Sequence, residues 1–171
     1  MESSTKVSHN EHVYLDLRLC NYGIDNISAL EKYILPNLTT LYISTNGINV
    51  NGCNVISKLL RSKETKLEFL YLRSNGICDE GAEVLAKELS ENATLITLDL
   101  FHNLIGEGGC TAFLNLVYDK SSIARAYNSN NKLTEIDFGH KPMTKIVEKL
   151  KSAPEINRTH KDTPKAASLK K

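Results

Sequence analysis

The chain contains no tryptophan, only four prolines and only four cysteines among its 171 residues, and neither sign of charge is in excess. Each shortage removes a class of protein. Cys20, Cys53, Cys78 and Cys110 stand 33, 25 and 32 positions apart with no CxxC pair, which excludes a zinc ribbon, a thioredoxin-like motif and a dense disulfide framework. No stretch approaches the roughly 20 apolar residues needed to cross a bilayer, and residues 1–10 lack the apolar run of a signal peptide. With 21 Lys and Arg against 20 Asp and Glu, the net charge is +1, so the concentrated basic face of a nucleic-acid binder is not expected. One domain in the cytoplasm, with the nucleus as the alternative, is the expectation, in contact with neither membrane nor nucleic acid.

Catalytic motifs are missing too. Gly106, Gly108 and Gly109 do not spell the phosphate-cradling G-x-x-x-x-G-K-[ST]. His9, His12, His102, His140 and His160 never fall at HExxH spacing and read as solvated surface histidines. No catalytic residue, metal site or cofactor is expected. The triplets at Asn26, Asn37, Asn92 and Asn157 are sequons that an Asn-rich chain generates by chance.

What the chain has in quantity is periodicity. Leu67, Leu70, Leu72, Asn75, Ile77, Gly81, Leu85 and Leu89 recur 28 positions on as Leu95, Leu98, Leu100, Asn103, Ile105, Gly109, Phe113 and Val117. One unit earlier, Leu38, Leu41, Ile43, Asn46, Ile48, Gly52, Ile56 and Leu60 fit at an offset of 29. Looser matches flank these three units: Leu15, Leu17, Cys20, Tyr22, Leu30 and Ile34 before them, then Ile123, Ala126, Asn131 and Leu133 after them. Alternation in Leu-x-Leu sends both leucines to one face of a short strand. The segment from Gly81 to Asn92 carries Val84, Leu85 and Leu89 at helical spacing, with Glu83, Lys87, Glu88 and Glu91 between them. One strand plus one returning helix cannot bury its own apolar face, so successive coils must stack.

These landmarks resemble the leucine-rich repeat pattern L-x-x-L-x-L-x-x-N/C-x-L. The 28/29 period and the helix signature are similar to the ribonuclease-inhibitor-like subclass, which also supplies the repeat domains of NOD-like receptors and Ran GTPase-activating proteins. The resemblance implies an α/β leucine-rich repeat solenoid, a short horseshoe of about five repeats with a parallel sheet on the concave face and helices on the convex one. In that frame Cys20, Asn46, Asn75, Asn103 and Asn131 form a structural ladder where each strand turns away, since an Asn side chain both donates and accepts.

The outward strand positions then become columns on the concave face: Tyr14, Asp16, Arg18 and Leu19; Thr40, Tyr42, Ser44 and Thr45; Phe69, Tyr71, Arg73 and Ser74; Thr97, Asp99, Phe101 and His102; Arg125, Tyr127, Ser129 and Asn130. They hold Tyr14, Tyr42, Tyr71, Tyr127, Phe69 and Phe101, six of the 11 residues that are Tyr (7) or Phe (4) in the chain, while the core face of the same strands is expected to have no aromatic residue. Large rigid side chains of this kind build interface hot spots. The expected partner-binding set is Tyr14, Asp16, Arg18, Tyr42, Phe69, Tyr71, Arg73, Asp99, Phe101, His102, Arg125 and Tyr127, with Asp99 between Tyr71 and Tyr127 and with Arg73 beside Phe101. The expected function is non-catalytic binding of a partner protein. The resemblance also offers a GTPase activator for a small Ras-family GTPase, or a ligand-sensing fragment related to NOD-like receptors. Ran activators carry more repeats and an acidic segment after them, whereas Lys151, Arg158, Lys161, Lys165, Lys170 and Lys171 outnumber Glu155 and Asp162 here.

The expected boundaries are a polar segment at 1–11, the array at 12–138, a capping helix at 139–151 built on Met143, Ile146, Val147 and Leu150, and a disordered basic tail at 152–171. The strand near Tyr14 has no evident cap. Its edge is covered by the terminal residues, pairs with another chain in an otherwise monomeric protein, or marks a shortened relative of longer arrays.

Overall fold

The alternating leucines of each unit do form strands, and the strands lie side by side in chain order. The structure is a computed structural model, and it describes residues 4–7, 13–20, 37–117 and 132–139. Strands β1 (Ser4–Val7), β2 (Val13–Asp16), β3 (Leu38–Tyr42), β4 (Phe69–Tyr71), β5 (Thr97–Asp99) and β6 (Glu135–Asp137) make one sheet. From β2 to β6 every pairing is parallel. Helices α1 (Val50–Arg61), α2 (Asp79–Leu89) and α3 (Glu107–Val117) return the chain between strands β3 and β6. The result is an α/β repeat fold.

One core runs through the stack. Leu41, Leu70 and Leu98 from the strands meet Ile56, Leu60, Leu85, Leu89 and Phe113 from the helices, all at or below 1% exposure. The glycines that open the helices let neighbouring coils approach: a Cβ on Gly109 would lie 2.8 Å from Ala82 Cβ and 2.7 Å from Ile105 Cγ2. Asp79, in the first turn of α2, accepts a hydrogen bond from the Gly106 N–H just ahead of α3. Its carboxylate therefore satisfies a helix-end donor in the next coil, where negative charge is favoured by the helix dipole.

Asparagines join the coils as expected. Nδ2 of Asn75 donates to the carbonyls of Leu72 (2.8 Å) and Arg73 (3.4 Å) in its own coil and of Ile43 (3.2 Å) in the coil before. Its Oδ1 accepts from the N–H groups of Asn46 (2.9 Å) and Ile48 (3.1 Å). Asn46 donates back to Leu17 and Asn103 to Leu72, so the same link repeats along the stack. Cys20 holds the first rung, its Sγ donating to the Arg18 carbonyl at 3.4 Å. Asn131 lies outside the described residues. Asn92, one of the sequon asparagines, is 7% exposed and donates to the Leu60 carbonyl at 2.7 Å, so it serves as a further coil-to-coil tie.

The residue just before each rung is left-handed. Leu19, Thr45, Ser74 and His102 have φ of 58°, 59°, 55° and 54°, a region that costs a side-chain-bearing residue roughly 1–2 kcal/mol. The turn imposes it, because Thr45 N–H donates to the Arg73 carbonyl and Ser74 N–H to that of Phe101. Thr45 is exposed and β-branched. Thr45→Gly is expected to raise stability by about 0.5–1 kcal/mol, the relief of the left-handed backbone less the entropy glycine gains when unfolded. A urea titration whose midpoint falls for this variant contradicts the prediction.

At the ends, the structure takes one of the alternatives left open for the first edge and revises the expected fifth unit. At the N-terminal edge β1 pairs antiparallel with β2, Ser4 opposite Asp16 and Val7 opposite Val13. The terminal residues themselves cover that edge. At the other end, the strand beside β5 is not the one expected near Ile123 and Ala126 at a 28-residue offset. It is Glu135–Asp137, with Leu133, Ile136 and Phe138 in the places of Leu95, Leu98 and Leu100 at an offset of 38. Phe138 is 6% exposed, so the core face does carry an aromatic residue, contrary to the all-aliphatic expectation. The fifth-unit positions Arg125, Tyr127, Ser129 and Asn130, the capping helix and the tail lie outside the described residues.

Candidate functional site

Parallel register turns sequence spacing into rows that cross the sheet. One row runs Tyr14, Thr40, Phe69, Thr97, Glu135, and the next runs Asp16, Tyr42, Tyr71, Asp99, Asp137. All of these point away from the buried leucines at alternate positions, and among them those on β2 to β5 are half-buried. Ten expected binding residues thus share one face: Tyr14, Asp16, Arg18, Tyr42, Phe69, Tyr71, Arg73, Asp99, Phe101 and His102. Arg125 and Tyr127 fall among the residues not described, and β6 takes their expected columns with Glu135 and Asp137. Asp99 is therefore flanked by Tyr71 and Asp137, not by two tyrosines. The sequence does carry a signal for this strand, Leu133-x2-Ile136-x-Phe138, once an aromatic is admitted at the last apolar position.

The tyrosines touch. Tyr42 and Tyr71 stack with ring centroids 4.6 Å apart and planes 8° from parallel. Tyr14 meets Tyr42 edge-on at 6.5 Å. Strand spacing of about 4.8 Å is what allows the face-to-face pair, since identical residues in register lie one spacing apart.

Each arginine of the face is held between a ring and a carboxylate. The Arg18 guanidinium is 2.6 Å from Asp16 Oδ2 and 5.2 Å from the Tyr42 ring centroid. That of Arg73 is 3.4 Å from Asp99 Oδ2 and 4.2 Å from the Phe101 centroid, the contact anticipated from sequence. A hydrogen bond from the Arg18 side chain holds the Asp16 carboxyl below its ordinary pKa, against a smaller opposing effect of burial. Asp99 moves the other way. Burial pushes its carboxyl up, the nearby Asp137 and Glu135 add to this, and the Phe101 N–H and Arg73 oppose it. Burial likewise raises the Tyr71 phenol, with Tyr42, Glu135 and Asp99 adding to the effect, so Tyr71 is a neutral hydroxyl at physiological pH.

Phe101 has a second duty. A Cβ at Gly139 would sit 2.5 Å from its ring, and Gly139 has φ of +79°. Only glycine at 139 leaves room for the Phe101 ring beside the end of β6. His102 meets the same ring edge-on at 4.0 Å. Phe101 is therefore partly a packing residue, whereas Tyr71 contacts its neighbours through the half-buried ring stack.

No group of three His, Cys, Asp or Glu side chains among the described residues is placed to hold a metal ion. Cys53 is buried, and burial pushes its thiol up to about 12, with Cys78 as a smaller contributor. That suits a small core residue and not a nucleophile.

Comparison with known proteins agrees with the geometry. Residues 63–86 and 91–114 match the family model for the leucine-rich repeat, which places the match on the two most regular coils. The chain is 30% identical over 101 residues to FERM domain-containing protein C of Dictyostelium discoideum, covering 56% of this chain and 7% of that much longer protein. The solved structure of Leiomodin-1 Actin-Binding Site 2 (ABS2) superposes with a TM-score of 0.64 at 18% identity, covering 86% of this chain and 83% of that one. At that identity the likeness is one of fold.

Proposed function

We propose that this leucine-rich repeat array is a non-catalytic protein-interaction module that receives a partner protein on the open face of its sheet. The observation that carries this is the Tyr14, Tyr42 and Tyr71 cluster, brought from three coils into contact and left half-buried on the face opposite the core. Burying such a cluster in a complex removes a large apolar area while freezing few rotors, which is how tyrosine-rich interfaces gain affinity. The solved neighbour is named for binding actin. That supports the use of such an array as a protein-binding surface and does not assign actin to this chain.

Tyr71→Ala is the variant that separates the two faces. It is expected to weaken the partner complex by more than about 1 kcal/mol, close to tenfold in Kd. Its cost to stability is the ring stack, about 0.5–1.5 kcal/mol. Affinity capture with wild type, Tyr71→Ala and Lys87→Ala, the last on the exposed side of α2, reads the outcome. A client kept by Lys87→Ala and lost by Tyr71→Ala supports the sheet face; the reverse pattern moves the interface to the helices.

A further inference from the structure

The charges of the open face are unevenly placed. Asp16 is matched by Arg18 and Asp99 by Arg73, whereas β6 adds Glu135 and Asp137. Asp137 Oδ1 accepts from the Gly139 N–H at 2.8 Å and Glu135 Oε2 from the Thr97 hydroxyl at 3.3 Å, both neutral donors that leave the negative charge in place. On strands β2 to β6, the four carboxylates Asp16, Asp99, Glu135 and Asp137 against the guanidinium groups of Arg18 and Arg73 give the face a net charge of −2, with the excess on β6. Asp99 and Asp137 are also register partners in the parallel β5–β6 pair, so two like charges sit on adjacent strands and repel. A cation arriving there relieves that repulsion.

The face already shows how it grips a cation, since both of its arginines lie between a ring and a carboxylate. Tyr71 and, two strands away, Asp137 and Glu135 offer the same two elements, and among the described residues neither β6 carboxylate is paired with an arginine. We propose that the partner segment is basic, seating an arginine or lysine at Asp99 and Asp137 and placing an apolar or aromatic residue on the Tyr42–Tyr71 stack. This rests on the sheet face being the docking surface. Tyr71 and Asp137 are two strands apart, about 10 Å, which an extended chain at roughly 3.3 Å per residue covers in about three residues. Side chains of an extended chain face the same way only at even separations, so the two anchors of the partner are two or four positions apart.

The test uses a displayed library of random 12-residue peptides selected on the immobilised full chain, followed by titration of the enriched peptides. Enrichment of Arg or Lys two or four positions from an apolar residue is expected. Affinity should then fall at least tenfold on Asp99→Asn/Asp137→Asn, fall with rising salt, and fall equally when the peptide's own Arg is replaced by Gln against wild-type protein. The last arm needs no variant of the chain to fold. Peptides that depend on Tyr71 but ignore both Asp substitutions and their own Arg overturn the basic-partner proposal and leave the docking face standing. Peptides indifferent to Tyr71→Ala as well remove the docking face itself. Enriched neutral or acidic sequences, no enrichment, or a homodimer that Tyr71→Ala dissociates also overturn the proposal.

Discussion

Asn75→Ala is expected to lower the unfolding free energy by about 3–5 kcal/mol, far more than the loss of a single ordinary hydrogen bond. Five polar contacts meet on this one side chain: three carbonyls accept from its Nδ2 and two N–H groups of the preceding coil donate to its Oδ1. The side chain is 9% exposed, so water cannot replace all of them without opening the stack. A typical bond contributes about 0.5–1.5 kcal/mol net, but each buried group left without a partner costs about 1–3 kcal/mol. Asn75→Asp is expected to be no better, because a carboxylate accepts and does not donate to carbonyls. Chemical denaturation of the two variants beside wild type gives the answer. A loss below about 1 kcal/mol for the alanine variant means the strand-end turn holds itself, and the ladder is ornament.

Phe113→Ala is expected to cost a further 3–5 kcal/mol in its own right. Phe113 occupies the helix position held by Ile56 and Leu85 in earlier coils, is completely buried, and meets the ring of Phe138 at 5.5 Å. The pair fills the described end of the core, where the strand partner has shifted from a 28- to a 38-residue offset and a leucine would leave a gap. Phe113→Leu restores the repeat residue while keeping most of the volume, so its cost is expected to be under about 2 kcal/mol. Unfolding curves that rank the leucine variant as low as the alanine one would mean that ring geometry, and not volume, closes the stack.

Most of the stack is legible in the sequence because its physics is local and repeated. Leu-x-Leu, the Asn two residues beyond the next position, and the helix-opening glycine each answer to a need that recurs in every coil, so periodicity exposes them. The register of Tyr42, Tyr71 and Asp99 follows directly from that period. Strand β6 is hidden because Ile123, Ala126 and Asn131 imitate the template at the regular offset, while the last apolar landmark of the true unit is Phe138, a residue type outside the aliphatic pattern. That misplacement exchanged Tyr127 for Asp137 and hid the acidic end of the face. Strand β1 was illegible for another reason: an edge strand is recruited through backbone groups, and Ser4-Thr5-Lys6-Val7 has no apolar alternation to announce it. The contact from Asp79 to Gly106 spans one whole repeat and has no counterpart in the L-x-x-L-x-L-x-x-N pattern.

The stacked coils of this α/β repeat fold give the chain one continuous sheet, and the face turned from the core collects aromatic rings at one end and carboxylates at the other. Whether that face is assembled and open in solution is accessible to one NMR experiment: cross-strand ring contacts read together with broadening by a dissolved paramagnetic agent. Proton contacts between the Tyr42 and Tyr71 rings and between those of Tyr14 and Tyr42 are predicted, with the tyrosine signals broadened and the methyl signals of Leu41 and Leu70 spared. Absent ring contacts, or tyrosines as well shielded as those leucines, would contradict the account at its root.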